Sequence, residues 1–157
     1  MRKHQSFDNG RLWHFRGVVT SGRREDGRDV DNAFPLQLPG TSRLLMAYRS
    51  HRCERNEITP TWNYTHYRIR IAYFDEGMWW AEHLSEVEER EANGDPTKLN
   101  GLWEPFLRVD GKGVLQAFYS SENSDVDQDN LMRFSKDGGK TWSDERIVVS
   151  GGEIVTR

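Results

Sequence analysis

The chain has 157 residues, a net charge of −3, and six Trp, seven Phe and five Tyr. This length fits one domain with a modest core, and a near-neutral balance without a basic stripe excludes a nucleic-acid-binding surface. The single cysteine, Cys53, excludes an internal disulfide and a Cys-rich zinc site, and no run is apolar and long enough to cross a membrane as a helix.

The first residues, Met1-Arg2-Lys3-His4-Gln5, have no apolar run behind them and do not read as a signal peptide. One strand is expected near 12–19, and the basic pair Arg23 and Arg24 reads as a solvated turn. From there Gly, Pro, Asn and Asp cut the chain into short strand-like pieces. Strands are expected at 33–38, at 44–49 after the Pro39-Gly40-Thr41-Ser42 turn, and at 67–74, where charged and apolar residues alternate with the period of a half-buried antiparallel strand. Residues 81–92 are rich in Glu and helix-prone by propensity, but an internal repeat of the chain asks for a strand near 82–87. Further strands are expected at 102–107, 114–119, 130–135 and 146–149.

The two halves repeat. At an offset of 70 residues Pro35 falls on Pro105, Leu45 on Leu115, Ala47 on Ala117, Ser50 on Ser120 and Tyr48 on Phe118. Residues 51–66 read as an insert that shifts the register of the next strands. Repeated antiparallel strands with aromatic turns point to propeller blades. The expected fold is therefore all-β: about two four-stranded antiparallel blades of an incomplete sialidase-like propeller of the six-bladed type. The expected division is an N-terminal segment 1–28, a blade at 29–98 and a blade at 99–157. Closed propellers have typically ~4–8 blades, so two blades leave open edges and apolar faces that call for the remaining blades as partners. The expectation is a fragment of a longer protein.

Ser135-Lys136-Asp137-Gly138-Gly139-Lys140-Thr141-Trp142 matches the Asp-box of bacterial-neuraminidase (BNR) repeats, Ser-x-Asp-x-Gly-x-Thr-Trp, at Ser135, Asp137, Gly139, Thr141 and Trp142. Asp137 can accept from nearby amides as in an Asx-turn, the two glycines can supply positive φ, and Trp142 can pack back on the turn. The motif is a structural clip. The acidic spacing of an EF-hand is absent, and turn chemistry accounts for Asp137 without a catalytic role.

The blocks Asp31-Asn32-Ala33-Phe34-Pro35-Leu36-Gln37-Leu38, Thr65-His66-Tyr67-Arg68-Ile69, Gly101-Leu102-Trp103-Glu104-Pro105-Phe106-Leu107 and Gln116-Ala117-Phe118-Tyr119-Ser120-Ser121-Glu122-Asn123 resemble the fungal exo-arabinanases of glycoside hydrolase family 93. The resemblance covers about 29–151. It implies a secreted enzyme of the sialidase superfamily that releases arabinobiose from α-1,5-linked arabinan with retention. Arabinan or a related plant cell-wall polysaccharide is then the partner, and no cofactor is expected. Glu104 matches the first of that family's two catalytic glutamates; the second lies in a later blade, so this chain alone is expected to be inactive.

A retaining glycosidase needs two carboxylates about 5–5.5 Å apart and an inverting one about 6.5–9.5 Å. Asp31, Asp75, Glu122 and Glu153 are further carboxylates without a spacing that pairs them with Glu104. Read from the residues, Glu104 sits between Trp103 and Pro105 at the start of an innermost strand, where aromatic surface would desolvate it and raise its pKa as a general acid needs. The bland alternative is a solvent-facing strand-edge Glu. Asn32, Phe34, His51, His66, Tyr67, Tyr119 and Glu122 are the candidates to line the sugar site, with core packing or plain surface charge as the competing role. His51, Cys53 and His66 do not complete a metal set. Arg49, Arg68 and Arg70 do not form the arginine cluster of a true sialidase. The alternative function is a non-catalytic propeller segment that binds a glycan or a protein.

Overall fold

The structure is a computed structural model that describes residues 1–95 and 99–149. Among the described residues, ten strands form three antiparallel sheets. A two-stranded ribbon pairs β1 (Arg2–Gln5) with β2 (His14–Val18). The first four-stranded blade is β3 (Arg28–Gln37), β4 (Leu44–Arg55), β5 (Trp62–Phe74) and β6 (Glu82–Glu91), in that spatial order. The second is β7 (Leu102–Val109), β8 (Leu115–Glu122), β9 (Gln128–Ser135) and β10 (Arg146–Val149), again in chain order. These are two meander blades of a β-propeller that does not close. The Glu-rich segment is strand β6: Ser85 and Val87, two residues apart, are both buried, and Leu84 packs against the same core.

The core lies between the blades. Leu45, Ala47, Ile69 and Ile71 of the first meet Leu102, Leu107, Leu115, Ala117, Tyr119 and Leu131 of the second. Each of these Leu and Ile side chains contributes about 1.5–3 kcal/mol when fully buried. The inner strand β7 packs against β3, β4 and β5, which sets β3 and β7 side by side at the inner edge. Farther out, Arg133 pairs with Glu88, and Arg90 reaches Ser121 at 2.7 Å and Glu145 at 2.9 Å.

Three sequence expectations need correction. First, the seventy-residue offset is wrong. A bulge in β3 sets Asn32 and Ala33 opposite Tyr48, and a bulge in β7 sets Glu104 and Pro105 opposite Tyr119. Phe34 therefore corresponds to Phe106 and Tyr48 to Tyr119, two and one residues away from the constant offset. The faces agree: Ser50 and its new counterpart Ser121 are both buried at 2% exposure. A slip of one residue would have turned Leu45 and Leu115 onto the same face, although they belong to opposite faces of their blades. Second, the insert residues 51–66 do not form a segment apart from the strands. They continue β4 and β5 as one long hairpin, in which Cys53 pairs with Tyr64 and Arg55 with Trp62. Third, the chain start is strand β1.

The turn at 135–142 is built as its residues demand. Asp137 Oδ1 accepts the Lys140 and Thr141 amides at 3.0 Å each, and Ser135 Oγ accepts the Gly139 amide at 2.8 Å. Gly138 and Gly139 take φ of 74° and 93°. Trp142 Nε1 donates to Ser85 Oγ at 3.0 Å, and Ser85 donates to the Gly139 carbonyl at 2.5 Å, so the turn fastens the second blade to β6 of the first.

The same construction recurs at Ser6-Phe7-Asp8-Asn9-Gly10-Arg11-Leu12-Trp13, between β1 and β2. Ser6 Oγ accepts the Gly10 amide and Asp8 Oδ1 the Leu12 amide, both at 2.8 Å, while Asn9 and Gly10 take φ of 58° and 86°. Strand, turn and strand thus reproduce β9, turn and β10. The ribbon docks where Val18 donates to the Trp79 carbonyl at 3.0 Å; a Cβ on Gly17 would sit 2.0 Å from that oxygen, so only glycine fits.

Candidate functional site at the inner ends of the blades

The bulge in β7 decides how Glu104 is presented. It holds Glu104 at φ 50°, a left-handed conformation that costs a side-chain-bearing residue about 1–2 kcal/mol. Backbone strain of this kind clusters at functional sites. Glu104 is exposed, between half-buried Trp103 and buried Pro105. This corrects the expectation of a desolvated carboxyl: the aromatic surface of Trp103 turns toward the core, away from solvent.

Behind Glu104 lies a dense aromatic and ionic cluster. His51 is wholly buried, with its ring edge-on to Tyr64, Tyr67 and Trp103 at centroid distances of 5.3, 4.9 and 5.2 Å. Its Nδ1 accepts the Arg68 amide at 3.1 Å. Burial, aided by the Arg49 charge, pushes its pKa down to about 3, so it is neutral and structural. Arg49, nearly buried, lies with its guanidinium 4.6 Å from the Trp103 ring centroid, pairs with Asp31, and reaches Asp29 at 3.3 Å. Asp29 also accepts from the Tyr64 hydroxyl and from Arg24. Burial works to raise the Asp29 pKa, but Tyr64, Arg24 and Arg49 together hold it below the ordinary range. Burial and that hydrogen bond push Tyr64 up to about 12.

The sequence candidates divide accordingly. Asn32 and Phe34 lie on β3, the neighbour of the strand that carries Glu104: Asn32 is exposed at φ 49° on the equivalent bulge, and the Phe34 and Phe106 rings meet at 4.5 Å. Glu122 is half-buried near Trp103; a Cβ on Gly101 would meet Glu122 Oε2 at 2.4 Å and Trp103 Nε1 at 2.5 Å. Tyr67 belongs to the buried cluster. His51 and Tyr119 are interior, which corrects their assignment to a sugar-lining surface; Tyr119 points between the blades, where its hydroxyl accepts from Arg133 at 3.1 Å. His66 sits on the third strand of its blade beside Glu91, and the structure does not bring it to Glu104. Asp75 is held by Arg43 beyond the far end of β5. Glu153 lies outside the described residues. Arg49, Arg68 and Arg70 each have their own carboxylate partner, Asp31, Glu89 and Glu86. Among the described residues no three His, Cys, Asp or Glu gather as a metal set. Sequence reasoning missed Asp29 and Tyr64. The signal was there: Asp29 and Asp31 are two apart and share the face that meets Arg49.

No family model and no curated protein matches the chain. Solved structures do. An α-L-arabinanase of Penicillium chrysogenum complexed with arabinobiose superposes with a TM-score of 0.70 and 20% identity, over 98% of this chain and 42% of that one. An α-L-arabinofuranosidase of Fusarium graminearum in complex with an iminosugar inhibitor gives 0.71 and 18%, over 97% and 42%. The chain has the arabinanase propeller fold. A complex of the Fusarium graminearum GH93 α-L-arabinofuranosidase with arabinobiose also matches, with a TM-score of 0.65 and 18% identity over 93% and 40%. The chain spans about two fifths of the length of these arabinanase-fold structures.

Proposed function

We propose that this chain supplies two blades and one catalytic carboxylate, Glu104, of a retaining exo-arabinanase that releases arabinobiose from α-1,5-linked arabinan outside the cell. The observation that carries this reading is the strained, exposed presentation of Glu104 at the inner edge of an arabinanase-like fold. The Trp-Glu-Pro-Phe context and the arabinobiose bound by two of the structural neighbours support the substrate class. We further infer that 135–142 is an Asp-box and 6–13 a second one lacking only the Thr, which makes the ribbon part of another blade.

The chemistry needs two carboxylates. Glu104 protonates the glycosidic oxygen as that bond breaks, while a carboxylate of another blade attacks the anomeric carbon and forms the glycosyl-enzyme. Glu104 then takes a proton from water, whose oxygen displaces the enzyme carboxylate from the same carbon. Without the second carboxylate no glycosyl-enzyme forms. The chain alone, incubated with linear arabinan, is expected to release no arabinobiose by chromatographic product analysis. Steady release abolished by Glu104→Gln would refute the requirement for another blade.

A further inference from the structure

The two edges of the N-terminal ribbon differ. β2 is tied to the first blade at Val18, which donates to the Trp79 carbonyl and accepts from the Ala81 amide, at 3.0 Å each. β1 pairs with β2 and, among the described residues, has no strand on its other side. Along β1 a cleft of about 810 Å³ opens between the ribbon and the first blade, with Lys3, Phe7 and Arg16 on one wall and Pro35, Leu44 and Phe74 on the other. Its two cations have aromatic neighbours and, among the described residues, no carboxylate partner. Lys3 Nζ lies 3.8 Å from the Phe74 ring centroid, and the Arg16 guanidinium 5.0 Å from that of Phe7. Burial and the Arg16 charge hold the Lys3 pKa below its usual value. Of the two acidic residues on the rim, Asp75 is held by Arg43, and Glu76 pairs with neither cation.

We propose that the free edge of β1 takes an antiparallel strand from a further blade, and that this strand carries an acidic side chain that enters the cleft beside Lys3 and Arg16. An open edge offers unpaired backbone donors and acceptors, and an added strand satisfies them while side-chain pockets choose which strand it is. Pro35, Leu44 and Phe74 give the incoming side chains an apolar wall. Charge makes the choice: a carboxylate next to two cations relieves their repulsion and accepts charge-assisted hydrogen bonds from them. A second copy of this chain does not fit, because pairing β1 with β1 would crowd Arg2 and Lys3 of both copies onto one short ribbon, and like charges across strands are destabilising. The inference rests on the reading of the chain as part of an open propeller; it adds which edge is open and which side chain that edge selects.

The test uses the full chain, 15N-labelled, titrated with an eight-residue peptide of alternating Thr and Val that carries one central Glu, and separately with its Gln counterpart. The Glu peptide is expected to shift the amide resonances of Arg2–Gln5 and to bind about tenfold more tightly than the Gln peptide, the worth of one charge-assisted hydrogen bond. Lys3→Gln and Arg16→Gln, each with its amide spectrum otherwise unchanged, should each remove most of that preference and leave the affinity for the Gln peptide as it was. Equal binding of the two peptides would overturn the acidic side chain. Inorganic phosphate binding the cleft more tightly than the Glu peptide would overturn the strand in favour of a small anion. If neither peptide moves the β1 amides, the docking edge is overturned and the arabinan reading stands; release of arabinobiose by the chain alone would instead refute the open propeller.

Discussion

Acidification should destabilise this chain through one buried imidazole. His51 is sealed by Tyr64, Tyr67 and Trp103, faces the Arg49 and Arg68 charges with Asp29 as the opposing group, and has its pKa lowered from 6.5 to about 3. Between those values the unfolded chain binds a proton that the folded chain refuses. Stability is therefore full above pH 6.5 and falls as pH drops toward 3, by up to about 1.4 kcal/mol per unit. At pH 5 the loss from this group reaches about 2 kcal/mol, or roughly 1 M in urea midpoint for a slope of about 2 kcal/mol per M. The assay is urea unfolding followed by Trp fluorescence from pH 7.5 to 5. His51→Gln is the comparison, because Gln keeps an acceptor for the Arg68 amide and does not titrate. The variant starts less stable but should lose distinctly less over that range, since the acidic groups are common to both proteins. Equal pH slopes for the two proteins would refute the reasoning.

Three further outcomes rest on the same geometry. Glu104→Gly should stabilise the fold by about 1 kcal/mol in chemical unfolding, since a residue at φ 50° without a Cβ loses the left-handed penalty; a destabilised variant would mean that the carboxylate makes a stabilising contact. Ser85→Ala removes the acceptor of Trp142 Nε1 and the donor to the Gly139 carbonyl, and should cost about 1–3 kcal/mol; a change within error would mean that water replaces the serine. Asp8→Ala removes the acceptor of the Leu12 amide and of the Ser6 hydroxyl, so hydrogen exchange should accelerate across β1 and β2 and leave β4, β5 and β8 protected. Uniform acceleration would show that ribbon and blades unfold as one unit.

Much of the fold is legible because propeller blades write themselves locally. Period-two alternation marks β5, and the Ser135 to Trp142 spacing specifies a turn whose hydrogen bonds are nearly all within eight residues. What misled the repeat alignment was the bulge. A bulge adds a residue to one strand without a compositional mark, so matching Pro35 to Pro105 looked natural while the strand pairing matches Phe34 to Phe106. The 6–13 turn was also written in the sequence, but Leu12 stands where the 135–142 turn has Thr141 and hid it. The site was half legible. Glu104 and Asn32 were candidates from the sequence and lie exposed, whereas the burial of His51 and Tyr119 depends on the packing of one blade on the next, which no local pattern carries. Arg49 was recognised as a strand residue, but its pairing with Asp29 and Asp31 depends on the register of β3 with β4.

We propose Glu104 as one of two catalytic carboxylates in a propeller completed by further blades. The most direct test is the rate of arabinobiose release from linear arabinan by a complete propeller containing this chain, with Glu104 intact and with Glu104→Gln. The account predicts a loss of about 10²–10⁴-fold, the usual contribution of a general acid-base group, with the amide spectrum of the fold unchanged. Release within twofold of the unsubstituted protein would contradict it.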